Sequence, residues 1–278
     1  MSGVTCNLCG HDGFRVLESD TPPYRVLRCS RCRLVFVDPA PPAKALSEHY
    51  DGDYYREWID AQRDRRLAMW AARLDRLEKW VSRGRLLDVG CGEGTFIELA
   101  LKRGWDVHGT ELSRFAADHA SRVLGREIFC GELAEARFRD GEFDAVTLWH
   151  VLEHVTDPGS YLSEVRRILK TGGILIVAVP NVNDLVMQVA YRLVRGKPLR
   201  RFSPGDREIH LYHFSAETLI GYMKKTGFRC RSMGPDYGII APAKKWLNAA
   251  AAVPYHLFGL KIFNAIEAVA TPEEKPRV

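Results

Sequence analysis

From residue 85 onward the chain alternates between two hydrophobic periods. Apolar runs of strand length stand at 86–89, 106–110, 127–130, 145–149 and 174–179. Between them, at 95–103, 114–124 and 158–169, apolar residues recur every three or four positions, the spacing of one helix face. Strand and helix in alternation predict a parallel sheet with helices on both sides. Upstream, Leu67, Trp70, Leu74, Leu77 and Val81 keep the helical spacing and predict a helix from about Trp58 to Val81, ended by Gly84. Three β-type runs, 13–17, 24–27 and 34–37, come before it and are closed by Pro39, Pro41 and Pro42. After Pro180 the pattern predicts a basic helix-like segment, an irregular loop over 203–211 and a helix over 215–226. A strand at 228–233, a helix near 244–252 and a last strand at 264–270 complete the expectation.

Composition narrows the class. The 278 residues are 46% hydrophobic and 27% charged, which excludes a disordered tail, a collagen-like rod and a coiled coil. No apolar run reaches the roughly 20 residues of a membrane span. The most apolar stretch, 246–260, is broken by Asn248, Pro254, His256 and Gly259. A polar N-terminus without a secretory pattern and only seven cysteines lead us to expect a reducing, cytoplasmic setting.

Four of those cysteines carry a pattern. Cys6, Cys9, Cys29 and Cys32 form two C-x2-C knuckles separated by 19 residues. Each knuckle lets two thiolates reach one metal from a tight turn, and the separation suits a tetrahedral zinc. With four thiolates the coordination sphere is full, so the zinc is expected to be structural. Cys91, Cys130 and Cys230 lack such spacing and read as small buried or loop residues. A zinc ribbon can read nucleic acid, but residues 1–80 hold 13 Lys and Arg against 12 Asp and Glu. A neutral module is a poor partner for a phosphate backbone.

The segment LLDVGCGEGTF (86–96) runs an apolar strand into a glycine loop and then a helix. Gly90, Gly92 and Gly94 are not in the dinucleotide spacing. Asp88 and Glu93 beside them would repel a pyrophosphate and favour a cationic ligand. S-adenosylmethionine is such a ligand: it carries a sulfonium and an ammonium and no phosphate. Glu111, 21 residues after Gly90, stands where an acid can accept hydrogen bonds from ribose hydroxyls. Glu132 follows the third strand, where it could meet the adenine amino group.

With GTELS (109–113), FDAVTLWHVLEHVTDP (143–158) and LKTGGILIVAVPN (169–181), the loop makes the chain resemble the class I S-adenosylmethionine-dependent methyltransferases. The subgroup is similar to the family that includes ubiquinone-biosynthesis O-methyltransferases and sugar methyltransferases. YRVLRCSRCRLVFVDPAP (24–41) and HLYHFSAETL (210–219) resemble bacterial methyltransferases of polysaccharide and secondary-metabolite pathways. The resemblance implies an α/β, Rossmann-like sheet of seven strands, mostly parallel with the last antiparallel, plus a small N-terminal zinc ribbon. It implies a cofactor site at Asp88, Gly90, Cys91, Gly92, Glu111, Leu112, Glu132 and Leu133, with Trp149 and His150 close by. The expected division is a ribbon over 1–42, a helical linker over 43–84 and a methyltransferase domain over 85–278, with an acceptor-loop insertion near 182–215.

For a hydroxyl acceptor a base must remove a proton. His150, at a strand end, His154, one helical turn on, and His210 and His213, before the 215–226 helix, are the candidates. His154 serves equally well as a packing residue. Ser215 reads as an N-cap whose box lacks the usual Glu, with Thr218 in that place. Sugar C-methyltransferases with a similar ribbon show a Glu-His pair near here. In this chain Ile209 precedes His210 and Glu208 is displaced by one, which favours O-methylation.

The net charge of +5 is concentrated. Arg192, Arg195, Lys197, Arg200, Arg201 and Arg207 stand against Asp206 alone. That span suits a clamp on a phosphate-bearing acceptor, contact with an anionic membrane surface, or a solvated face. The expected enzyme methylates a sugar, a nucleotide- or lipid-linked sugar, or another small intermediate on oxygen. An RNA methyltransferase and a non-catalytic cofactor-binding regulator are the rival readings.

Overall fold

A computed structural model describes residues 3–42, 63–238 and 242–273. In chain order the ribbon strands are β1 (Phe14–Thr21), β2 (Tyr24–Cys29) and β3 (Val35–Asp38), followed by α1 (Arg63–Leu77). Next come β4 (Arg85–Val89), α2 (Thr95–Lys102), β5 (Asp106–Glu111), α3 (Arg114–Leu124), β6 (Phe129–Cys130) and a 3-10 turn, Leu133–Ala136. They are followed by β7 (Phe143–Trp149), α4 (Pro158–Ile168), β8 (Leu169–Pro180), α5 (Leu185–Arg195), β9 (Tyr212–His213) and α6 (Ala216–Lys225). The chain closes with β10 (Phe228–Pro235), α7 (Pro242–Phe258) and β11 (Ala265–Pro272).

Seven strands form one sheet in the order β10-β11-β8-β7-β4-β5-β6. Strands β8, β7, β4, β5 and β6 run parallel, and β11 lies antiparallel between β8 and β10. The expected seven-stranded sheet with its last strand reversed is therefore the observed one. The central strands read as continuous apolar runs because both faces are covered. Leu175, Val177 and Val179 of β8 face one core, shared with α4, α6 and the ribbon. Ile174, Ile176 and Ala178 face the other, shared with α1, α2 and α3. Strand order reverses at β4, which has β5 on one side and β7 on the other. That reversal opens a crevice at the C-terminal strand ends, the usual ligand position in such sheets.

Three local expectations change. The linker helix ends at Leu77, seven residues before Gly84, in turns that carry Trp80 N–H to the Leu77 carbonyl (2.9 Å). Its expected start, Trp58 to Gln62, lies outside the described residues. The box at Ser215 is complete. Ser215 Oγ accepts from Thr218 N–H, and Thr218 Oγ1 accepts from Ser215 N–H at 2.9 Å, so a hydroxyl replaces the usual carboxylate. Third, the 203–211 loop runs straight into β9, which the sequence pattern does not announce. β9 pairs antiparallel with β3 and makes the ribbon a four-stranded sheet.

Candidate functional site

At the end of β4 the chain turns through Gly90, Gly92 and Gly94, all with positive φ (68°, 56° and 87°). A Cβ on Gly90 would lie 2.7 Å from Val151 Cγ2, and one on Gly94 would lie 2.8 Å from Ala120 Cβ. Glycine is thus needed for the loop to sit against both the turn after β7 and α3. Glu111, buried at the end of β5, braces the loop: one carboxylate oxygen accepts from Gly92 N–H and the other from Ser113 N–H, both at 2.9 Å. Asp88 is buried on β4 and accepts from Thr147 Oγ1 at 2.6 Å. Burial raises its carboxyl to about 7. Thr147 and Arg73 oppose that rise, while the Glu111 and Glu93 charges add to it. An acid-lined glycine loop with such a strained carboxylate fits a cationic ligand and disfavours a phosphate.

The other expected cofactor residues divide. Cys91 is buried beneath the loop, and Leu112 is exposed beside it. Glu132 is exposed at the N-terminus of the 3-10 turn, where partial desolvation and the Glu135 charge raise its pKa. Leu133 faces the core. Trp149 is buried against Phe96 and Trp70 at ring separations of 5.6 and 6.2 Å.

At the end of β7 the structure gathers the histidines. His150, in the left-handed region (φ 58°), lies 3.3 Å from Glu153 Oε1 through Nδ1 and 3.2 Å from Asp236 Oδ2 through Nε2. Burial alone would lower its pKa, but the two carboxylates outweigh it and raise it to about 9. His154 Nδ1 donates to the Ile209 carbonyl at 2.7 Å, which leaves Nε2 directed at the cluster. His210 stacks edge-on to His154, with ring centres 4.9 Å apart. Burial lowers its pKa below the usual histidine value, more than the Glu153 charge raises it. His213 is pushed down to about 3 by burial and by His210. His150 is thus held toward its charged form, while His210 and His213 are shifted toward the neutral one. Ligand atoms of Glu153, His154 and His210 lie within 4.8 Å of one another, close enough to hold a divalent cation.

Three members of this site escaped the sequence reading: Arg73, Asp236 and Glu153. Arg73 is buried in α1, bonded to Asp236 at 2.6 Å and stacked over Trp149 at 4.3 Å and Trp70 at 4.8 Å. The signal for Arg73 was its place at helical spacing between Trp70 and Leu77, a charge on an apolar stripe. Glu153 stood between two candidate histidines. Asp236 follows β10 in a stretch with no motif.

The four ribbon cysteines converge. Cys6 and Cys32 sulfurs lie 3.4 Å apart, Cys9 and Cys29 sulfurs 3.6 Å apart, and all four lie within 4.8 Å. A tetrahedral zinc with about 2.3 Å bonds needs sulfurs about 3.8 Å apart, so the set fits. Cys91, Cys130 and Cys230 lie elsewhere, buried or half-buried.

The family model described as "Methyltransferase domain" matches residues 59–233, from the linker helix through β10. The chain belongs to the class I S-adenosylmethionine-dependent methyltransferase family. Among its curated relatives in this methyltransferase family are ubiquinone biosynthesis O-methyltransferases. That of Alkalilimnicola ehrlichii is 38% identical over 107 residues, 36% of this chain and 42% of the relative. That of Dechloromonas aromatica is 36% identical over 40% of this chain and 51% of its own length. The chain thus spans about half the length of these relatives. That of Leptothrix cholodnii is 28% identical over 62% of this chain and 75% of its own. Among solved structures, a protein of Pyrococcus horikoshii shares the methyltransferase fold at TM-score 0.54 and 20% identity, over 80% of this chain and 99% of that one. The geranyl diphosphate C-methyltransferase of Streptomyces coelicolor, in complex with Mg2+, geranyl diphosphate and S-adenosyl-L-homocysteine, does so at 0.52 and 18%, over 73% and 79%.

Proposed function

We propose that the chain transfers the methyl group of S-adenosylmethionine to a hydroxyl of a small acceptor, a sugar or a nucleotide- or lipid-linked sugar. The observation that carries this reading is the gathering of His150, His154 and His210 around the buried Glu153, in a turn that touches the glycine loop. The bound cofactor supplies an electrophilic methyl on a sulfonium. Asp88, Gly90, Cys91, Gly92, Leu112 and Trp149 stand around its place, and Glu111 is the acid offered to the ribose hydroxyls. Glu132 is offered to the adenine edge.

His210 takes the hydroxyl proton as the acceptor oxygen attacks. His150 already carries its proton below about pH 9 and acts instead as a fixed donor and positive charge. Glu153 stabilises the imidazolium that forms on His210. His154, tied to the Ile209 carbonyl, holds the loop that carries His210. The O-methyltransferase relatives support transfer to oxygen, as does Ile209 where a Glu-His pair would serve carbon methylation. The four cysteines hold a structural zinc.

A panel of free sugars, nucleotide sugars, lipid-linked sugars and phenols, incubated with methyl-labelled cofactor, tests this. The His210→Ala change lowers kcat on the methylated acceptor about 100-fold or more, with little change in cofactor KM. Equal kcat in the variant would remove His210 from the mechanism.

A further inference from the structure

None of the eleven residues of α5 is buried. Leu185, Val189 and Leu193 fall at i, i+4 and i+8 and form an exposed apolar stripe, with Leu193 81% accessible. The helix meets the core through Val186, at one side of the stripe. Helix α7 packs beside α5 and repeats the arrangement. Its Ala251 and Ala252 are buried and Tyr255 meets the core, while Val253, Leu257 and Phe258 (75%) are exposed, with Leu260 just beyond. Scattered surface leucines need no account, but large apolar side chains grouped on two neighbouring helices mark a contact surface.

The charge around this surface selects its partner. Arg192 stands three residues from Val189 and seven from Leu185, at the edge of the stripe. Arg195 and Lys197 continue the exposed basic rim, and no acidic residue lies between Asp184 and Asp206. Arg200 and Arg201 belong elsewhere: they pair with Asp20 and Glu18 of β1 at 2.8 and 3.0 Å. A two-fold pair of chains would bring both copies of this basic rim into one interface. An apolar face rimmed by arginines matches acyl chains below anionic headgroups. We propose that the α5–α7 face docks on an anionic lipid bilayer. It follows β8 directly, at the sheet end that carries His150 and the glycine loop.

Vesicle flotation of the full chain tests this, with phosphatidylcholine vesicles alone and with added phosphatidylglycerol. Two double variants are compared: Leu193→Ser with Leu257→Ser, and Arg192→Gln with Arg195→Gln. The chain is expected to float with the anionic vesicles and not with the neutral ones, and to be released by salt. The arginine pair should weaken binding about 25-fold and the leucine pair more than tenfold. All these side chains are exposed, so melting midpoints should stay at the parent value. No flotation with anionic vesicles, or equal flotation with neutral ones, would overturn the proposal. A dimer in sedimentation that the leucine pair dissolves would assign the face to a second copy instead.

Discussion

Val35 of β3 pairs in register with His213 of β9, three residues after His210. The loop that carries the candidate base is therefore an edge of the ribbon sheet. Val37 N–H also donates to the Leu211 carbonyl at 2.9 Å, and Tyr222 of α6 bonds Asn7 between Cys6 and Cys9 at 2.8 Å. The ribbon thus meets the loop that carries His210 through β3.

Chelation or Cys29→Ser should then loosen the loop before the main sheet. Hydrogen exchange at the Val37 amide is expected to accelerate, while amides of β4 and β7 keep their protection. Unchanged Val37 exchange after zinc loss would separate ribbon from site.

How much of this was legible differs by element. The glycine loop and the parallel order followed from patterns repeated along the chain, because buried central strands must be apolar on both faces, whereas the reversed β11 followed only from the family resemblance. The cysteine cluster was legible because two C-x2-C pairs have the spacing that brings four sulfurs together. β9 was not: two residues, Tyr212 and His213, give no period to read, and the strand exists only because β3 offers it an edge. Asp236 was equally silent, since its role comes from Arg73 and His150, 163 and 86 residues away. The chemistry of the histidines was legible only as a set of candidates, and their burial and carboxylate partners separate them.

His150 makes a pH prediction. Its folded pKa is raised to about 9 from an ordinary value near 6.5. The folded state holds the proton more tightly, so the contribution to stability is full below about pH 6.5 and is lost as pH rises through 9. With its side chain about a third exposed, the loss is about 1–2 kcal/mol after allowing for solvent screening. Unfolding midpoints from pH 6.5 to 9.5 should fall less in His150→Gln than in the parent chain.

The Arg73–Asp236 pair is buried on both sides. Arg73→Met leaves Asp236 with a charge it cannot solvate, and should cost roughly 3–5 kcal/mol in chemical denaturation. A cost below 1 kcal/mol would mean that His150 and Arg76 suffice as counter-charges.

Gly90→Ala places a methyl 2.7 Å from Val151 at a positive φ. The loop must move, so affinity for S-adenosylhomocysteine measured calorimetrically should fall tenfold or more, with a stability cost of about 1–2 kcal/mol. The double change Gly90→Ala with Val151→Ala relieves the contact but not the φ, and should recover only part of the affinity.

The most direct test is to follow the methyl group itself. The purified chain is incubated with methyl-labelled S-adenosylmethionine and a fractionated bacterial extract, with His210→Ala alongside. The account predicts label in sugar-bearing small molecules or lipid-linked sugars, released as methanol equivalents only by ether cleavage, and absent with the variant. Label in nuclease-sensitive material, or equal label with His210→Ala, would contradict it.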